Sequence, residues 1–253
     1  MRASSSSRCS RSSAAKVSTS RAPRPWRSSA AMPSDSFLIW GGGGHGKVVA
    51  DIIRAAGCTV VGFADRDPAK LGKIVEPLGA SVVISEADLL AILSESGRLS
   101  DIEGATAIAL GIGDNVSRIT SLRNASDVSI PLLVHPSAIV SASSVLGRGT
   151  VVFPLAVINA ASRVGEGVIV NSGAIIEHDC VVGDGAHIAP GSVLTGGVRV
   201  GARSTVGAGS TVLPGIRIGS DSTVGAGAVV TRDVPDRSVV AGNPAKPLSN
   251  ART

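Results

Sequence analysis

The chain has 253 residues, a formal net charge of +5, and 43% hydrophobic but only 2% aromatic residues. That length has room for two modest domains. The positive charge does not point to nucleic acid: residues 1–31 hold six Arg and one Lys with no acidic residue, the remainder stands at −2, and no basic patch, aromatic platform or nucleic-acid motif accompanies it.

The Ser- and Arg-rich tail lacks the apolar core of a secretory signal. It reads as a disordered extension, as upstream sequence before a start at Met32, or as an organellar transit peptide; residues 1–34 are set aside as this tail. No run reaches the roughly 20 apolar residues of a membrane span. Cys9, Cys58 and Cys180 are odd in number and form no spaced pair, so a reducing, cytoplasmic setting is expected rather than a disulfide framework.

Residues 35–134 read as an α/β domain. Phe37–Gly41 is a short buried strand, and GGGGHG follows it. Val48, Val49, Ile52 and Ile53 then form one apolar helical face, Gly57 stops the helix, and CTVVGFAD is the next strand. Gly41, Gly43 and Gly46 satisfy G-x-G-x-x-G, and Asp65 ends the second strand about twenty residues on. Glycine lets backbone amides approach an anion at a helix N-terminus, and a carboxylate at the next strand end suits a ribose or a base. A Rossmann-like domain binding a nucleotide is the favoured reading. A tight turn that binds nothing is the bland one. A dehydrogenase is disfavoured, because roughly 95 residues cannot hold a nucleotide domain and a catalytic domain.

SVVI is a further strand, and Ser85-Glu86-Ala87-Asp88 reads as a capping box ahead of a helix. ATAIALGIGDN is a buried strand ending in a glycine turn, and VSRITSLRNA is helical. Gly113 would share a sheet edge with Gly43, Gly44, His45, Asp65 and Arg66, where open α/β sheets bind ligands.

Residues 135–253 follow a different rule. From Val164 to Val230 an aliphatic residue opens every block of six, twelve times without a slip. Neither a helix nor a lone strand has that period; a short strand, a turn and a repeat do. Three sides make a coil of 18 residues. Stacked coils align Val164, Val182, Val200 and Ile218 as one inward ladder, and residues 170, 188, 206, 224 and 176, 194, 212, 230 as two more. The fifth position is mostly small, as a narrow interior requires. Upstream, Ile139, Val145, Val151 and Val157 keep the period, with an apparent slip of one residue before Val164. Sixteen blocks at about 4.8 Å per coil give a prism roughly 25 Å tall.

Glu177-His178-Asp179 interrupts this repeat with three polar residues, and His187 follows nine residues after His178. Histidine suits proton transfer at neutral pH, and a neighbouring carboxylate orients the ring and steadies its charged form. His178 is therefore the candidate base and Asp179 its partner, with Glu177 in support. A backbone N–H near Gly196-Gly197 is the candidate donor to an anion developing beside it. Cys180 occupies an inward fifth position and reads as core.

The GxxGHG-type loop, the strand ending in Asp65, the IGDN-x-x-R turn and the EHDC…HIAPG coils together resemble the sialic acid O-acetyltransferase family of hexapeptide-repeat acyltransferases. That family includes N-acetyltransferases of nucleotide-linked 4-amino sugars. The resemblance covers about residues 37–248. It implies a left-handed parallel β-helix, acetyl-CoA as co-substrate, and a homotrimer with acetyl-CoA between neighbours. It places the acceptor sugar or its nucleotide in the N-terminal domain, His187 on acetyl-CoA, and Gly196, Ala208 and Ala226 along the cofactor groove. Arg66 stands where some relatives carry a second acid. Lys246, in the closing segment, would meet a CoA phosphate. Two other readings stand beside this one: a non-catalytic scaffold, and a zinc carbonic-anhydrase-like β-helix, which needs three converging histidines. No metal, membrane or nucleic-acid partner is expected.

Overall fold

In a computed structural model, residues 35–95 and 98–248 are described; the expectations about residues 1–31 lie outside them. The α/β domain runs β1 (Ser36–Trp40), α1 (Gly44–Ala55), β2 (Thr59–Asp65), β3 (Ile74–Val75), β4 (Ala80–Ser85), α2 (Glu86–Glu95), β5 (Ala107–Leu110) and α3 (Asn115–Asn124). Its sheet has the order β3-β4-β2-β1-β5, parallel except for β3 against β4. The chain goes from β1 to β2 on one side and comes back to β5 on the other. The crevice beyond the ends of β1 and β5 is therefore a topological switch point, where such sheets bind ligands.

The glycines of the β1–α1 turn allow a close approach. Gly41 has φ +115°, and a Cβ on Gly46 or Gly111 would run into the Gly41 carbonyl. Gly43 and Gly44, by contrast, face open space. Half of the capping box forms: Ser85 Oγ accepts from the Asp88 N–H at 3.1 Å, while the Asp88 carboxylate accepts from the Ser85 hydroxyl at 2.6 Å in place of the backbone N–H. Asp114 caps α3 in the same way, accepting from Ser117 N–H at 2.8 Å.

The second part is a triangular parallel β-helix. Its docking face starts at Leu133–Val134 and climbs through Val151–Val152, Ile169–Val170, His187–Ile188, Thr205–Val206 and Thr223–Val224. An apolar face stacks Ile139–Val140, Val157–Ile158, Ile175–Ile176, Val193–Leu194, Thr211–Val212 and Val229–Val230. An arginine face stacks Val145–Leu146, Arg163–Val164, Val181–Val182, Arg199–Val200 and Arg217–Ile218. The three ladders expected from Val164 onward all point inward and are buried, as are the small fifth-position residues from Ala174 to Ala228.

The slip before Val164 does not exist. Leu146 pairs with Val164, Val152 with Val170 and Ile158 with Ile176, so the inward residues upstream are Val140, Leu146, Val152 and Ile158. Ile139, taken as inward, is 66% exposed. Each upstream rung is a pair of aliphatics, so hydrophobicity alone could not say which of the two points in. Turn geometry does: a left-handed residue recurs every six positions, through Gly149, Leu155, Ala161 and Gly167 to Gly227.

The two parts share a core. Phe37, Ile39, Ile53 and Phe63 of the sheet and α1 side pack with Leu133, Val151, Phe153 and Ile169 of the docking face. At the adjoining corner, Gly149, Gly167 and Gly185 stack one coil apart, and a Cβ on any of them would press on Leu122, Ile130, Ile119 or Asn115. The next residues in that column, Arg203 and Asp221, pair with each other at 2.6 Å through both guanidinium nitrogens in contact.

Candidate functional site

The first site lies at the switch point. A cavity of about 280 Å³ is lined by Trp40, Gly41, Gly43, Asp65, Arg66, Lys70, Glu86, Gly111, Gly113, Asp114 and Ser117. Of the residues expected there, Gly43, Asp65, Arg66 and Gly113 line it. Asp65 is 5% exposed and already engaged: it accepts from the N–H groups of Gly42 (3.0 Å) and Asp67 (2.9 Å) and from Lys70 Nζ (3.0 Å). Burial opposes its ionisation, but these hydrogen bonds from Asp67, Lys70 and Gly42 outweigh it and hold the carboxyl below the usual range. Sequence reasoning missed Lys70, Trp40 and Glu86. The Trp40 indole N–H donates to Glu86 Oε1 at 2.7 Å, a pairing between residues 46 apart that spacing cannot announce.

His45 turns the other way, toward the prism. Its ring stacks on Phe153 with centroids 5.3 Å apart, and its Nε2 is buried without a hydrogen-bond partner among the described residues. His187, on the docking face, lies 3.0 Å from Asn171 Nδ2 through Nε2. Burial first, and Arg118 second, lower both histidines to about 4. Both are therefore neutral at pH 7.

Arg118 explains the IGDN-x-x-R turn. Its side chain is fully buried, and it donates to the carbonyls of Gly167 (2.7 Å), Gly185 (2.8 Å), Ile112 (3.1 Å) and Gly113 (2.9 Å) and to Asn115 Oδ1 (2.7 Å). Asn115 in turn donates to the Arg203 carbonyl at 2.9 Å and reaches Thr205 Oγ1 at 3.0 Å. These two residues bolt the N-terminus of α3, and with it the edge of the switch-point cavity, to the prism.

The second site is the corner between the apolar and arginine faces. There His178 Nδ1 lies 2.8 Å from Asp179 Oδ2, with the two side chains 63% and 67% exposed. Asp179 takes the turn position with φ +60°, which most other coils give to glycine and which aspartate tolerates better than most. One coil on, Gly196 lies directly against the His178 ring. Its N–H makes no hydrogen bond among the described residues. Glu177 is tied back to Asn159 Nδ2 at 2.9 Å. Cys180 is buried, donates to the Thr195 carbonyl at 3.2 Å, and has its thiol pushed up, mostly by burial, so it belongs to the core.

Ala208 and Ala226 stack, exposed, at another corner, between the docking and apolar faces. Within one chain the expected site residues are thus not brought together. The His178 corner is the vertex opposite the docking face, so it stands across the prism from His187 and the switch-point cavity. Among the described residues no group of three or more His, Cys, Asp or Glu side chains gathers as a metal site, and no helix is long and apolar enough to cross a membrane.

Comparisons with known proteins agree with this architecture. Residues 36–124 match the PglD N-terminal domain, 161–196 the bacterial transferase hexapeptide (six repeats), and 197–232 the hexapeptide repeat of succinyl-transferase. A comparison with curated protein sequences returned no match. Among solved structures, PerB from Caulobacter crescentus, in complex with CoA and GDP-perosamine, is 40% identical, with a TM-score of 0.74 over 85% of this chain and 97% of that one. The acetyltransferase domain of PglB from Neisseria gonorrhoeae is 37% identical, with a TM-score of 0.74 over 85% and 100%. WeeI from Acinetobacter baumannii, at 23% identity and a TM-score of 0.69 over 84% and 99%, shares the fold. With an α/β domain on a left-handed β-helix and this identity over nearly the whole of its relatives, the chain belongs to the family of hexapeptide-repeat sugar N-acetyltransferases that carry a PglD-type N-terminal domain.

Proposed function

We propose that the chain transfers the acetyl group of acetyl-CoA to the amine of a nucleotide-linked 4-amino sugar, with His178 as general base. The observation that carries this reading is the His178–Asp179 pair, exposed on a prism corner beside the unbonded N–H of Gly196. The carboxylate holds Nδ1 and leaves Nε2 to take the amine proton as nitrogen attacks the thioester carbon. The Gly196 N–H, which has no partner among the described residues, would donate to the oxyanion that forms. When the tetrahedral intermediate collapses, the C–S bond breaks and CoA leaves as thiol, without an acyl-enzyme.

The relatives support the substrates: PerB binds CoA and GDP-perosamine, and the PglB domain binds acetyl coenzyme A. In this chain the cavity at the switch point would hold the nucleotide, with the Gly43 and Gly44 amides at the head of α1 and the Arg66 and Lys70 cations meeting its phosphates. His187 and the small Ala208 and Ala226 are assigned to acetyl-CoA.

A homotrimer completes the site. The outward residues of the apolar face are Ile139, Val157, Ile175, Val193, Thr211 and Val229, a ladder with no charge. The His178 corner bounds that face on one side and the Ala208–Ala226 corner on the other. Packing three such faces about an axis sets the first corner of one chain against the second corner of the next. Release of free thiol from acetyl-CoA in the presence of GDP-, UDP- and dTDP-linked 4-amino sugars tests the reading. Turnover with at least one is expected; no turnover with any of them, or with free amino sugars, would contradict it.

A further inference from the structure

We infer that Gly196 is a positioning residue for His178, and that it acts through the side chain it lacks. This rests on His178 as the base. A Cβ built on Gly196 would stand 2.7 Å from Cε1 and Nε2 of His178 and 3.4 Å from Nδ1. Those distances are inside van der Waals contact, so the imidazole lies on the Gly196 backbone in a space that even alanine would fill.

The repeat shows that the glycine is there for the ring and not for the turn. Gly196 is the third residue of its block, and the left-handed residue is the fourth, Gly197, with φ +71°. Gly196 itself is not in the left-handed region, so its backbone makes no demand for glycine. From Arg148 to Arg232, every other third position carries a side chain, alanine at 160, 202, 208 and 226. The one bare third position is the one that lies a coil beyond His178.

Two contacts thus define the ring. Asp179 holds Nδ1 at 2.8 Å, and the Gly196 backbone supports the Cε1–Nε2 edge. Because the side chain is 63% exposed and sits on a corner, neighbouring side chains do not otherwise confine it. A methyl at position 196 would lift the ring and carry Nε2 off the path of the amine proton. This role is separate from that of the Gly196 N–H, which alanine would retain.

The test is Gly196→Ala, alone and combined with His178→Ala. Four alanines at equivalent positions show that the coil accepts the residue. We expect kcat to fall on the order of 10- to 100-fold with little change in the KM for acetyl-CoA, and His178→Ala/Gly196→Ala to be no slower than His178→Ala alone, because the second change then has no ring to move. Any melting temperature lost in Gly196→Ala should return in the double variant. NMR of the labelled imidazole should show altered His178 shifts in Gly196→Ala. An unchanged kcat, equal additional losses in the two backgrounds, or unmoved imidazole signals would overturn the inference. If His178→Ala keeps full activity while Gly196→Ala still shifts the ring signals, the base assignment fails and the seat for the ring stands.

Discussion

At the residue scale, the two carboxylates of interest have different environments and should fail differently. Asp179 is exposed and serves one ring nitrogen, so Asp179→Asn keeps the shape and removes the charge that steadies the imidazolium. Its kcat should fall less than that of His178→Ala, with both KM values little changed. Asp65 is buried under three hydrogen bonds and orders the cavity wall. Asp65→Ala should raise the KM for the acceptor and leave that for acetyl-CoA unchanged, the pattern of lost uniform binding. An unchanged acceptor KM would remove this cavity from the site. The pairing of His178 with Asp179 was legible because polar residues broke an aliphatic repeat. Lys70, Trp40 and Glu86 were not, because only the folded sheet edge brings them beside Asp65.

At the element scale, the joint between the α/β domain and the prism shapes the acid response. His45 and His187 are held near 4 in the folded chain, below the ordinary value of 6.5. Between pH 6.5 and 4 the unfolded chain therefore binds protons that the folded one refuses. Stability should fall as pH drops through that window, by up to about 1.4 kcal/mol per pH unit for each histidine, and be indifferent to these two groups above pH 7. Urea midpoints measured from pH 7.5 to 4.5 check this, and His187→Asn should flatten the slope. Arg118→Met leaves several buried carbonyls without a donor and should cost about 3 kcal/mol or more. A loss under 1 kcal/mol would mean that the bolt is not structural. The helices and the Ser85 cap were readable because their signals are local. The upstream register was not, because paired aliphatics at 145–146, 151–152 and 157–158 hide which of each pair points inward; the turn residues carry that information. The IGDN-x-x-R turn was visible as a pattern, but its role required knowing that Gly167 and Gly185 lie under α3.

At the scale of the whole molecule, the prism separates His178 from the switch-point cavity. The period of six gave the coils, the ladders and the three faces, whereas nothing local told which corner meets which. The apolar ladder from Ile139 to Val229 lies between the His178 corner and the Ala208–Ala226 corner, so light scattering at micromolar concentration should report three chains. A charge placed on that ladder, Ile175→Glu, should dissociate the assembly and abolish turnover together; an active monomer would refute a site built between chains. The central claim is that His178 removes the acceptor proton in a direct transfer, and the loss of such a base typically costs about 10²–10⁴ in rate, or roughly 3–5 kcal/mol. The most direct measurement is kcat for thiol release by His178→Ala at saturating acetyl-CoA and sugar nucleotide. A fall of that order with intact trimer, melting temperature and acetyl-CoA affinity is the predicted result, and a variant that keeps most of its kcat would contradict the account.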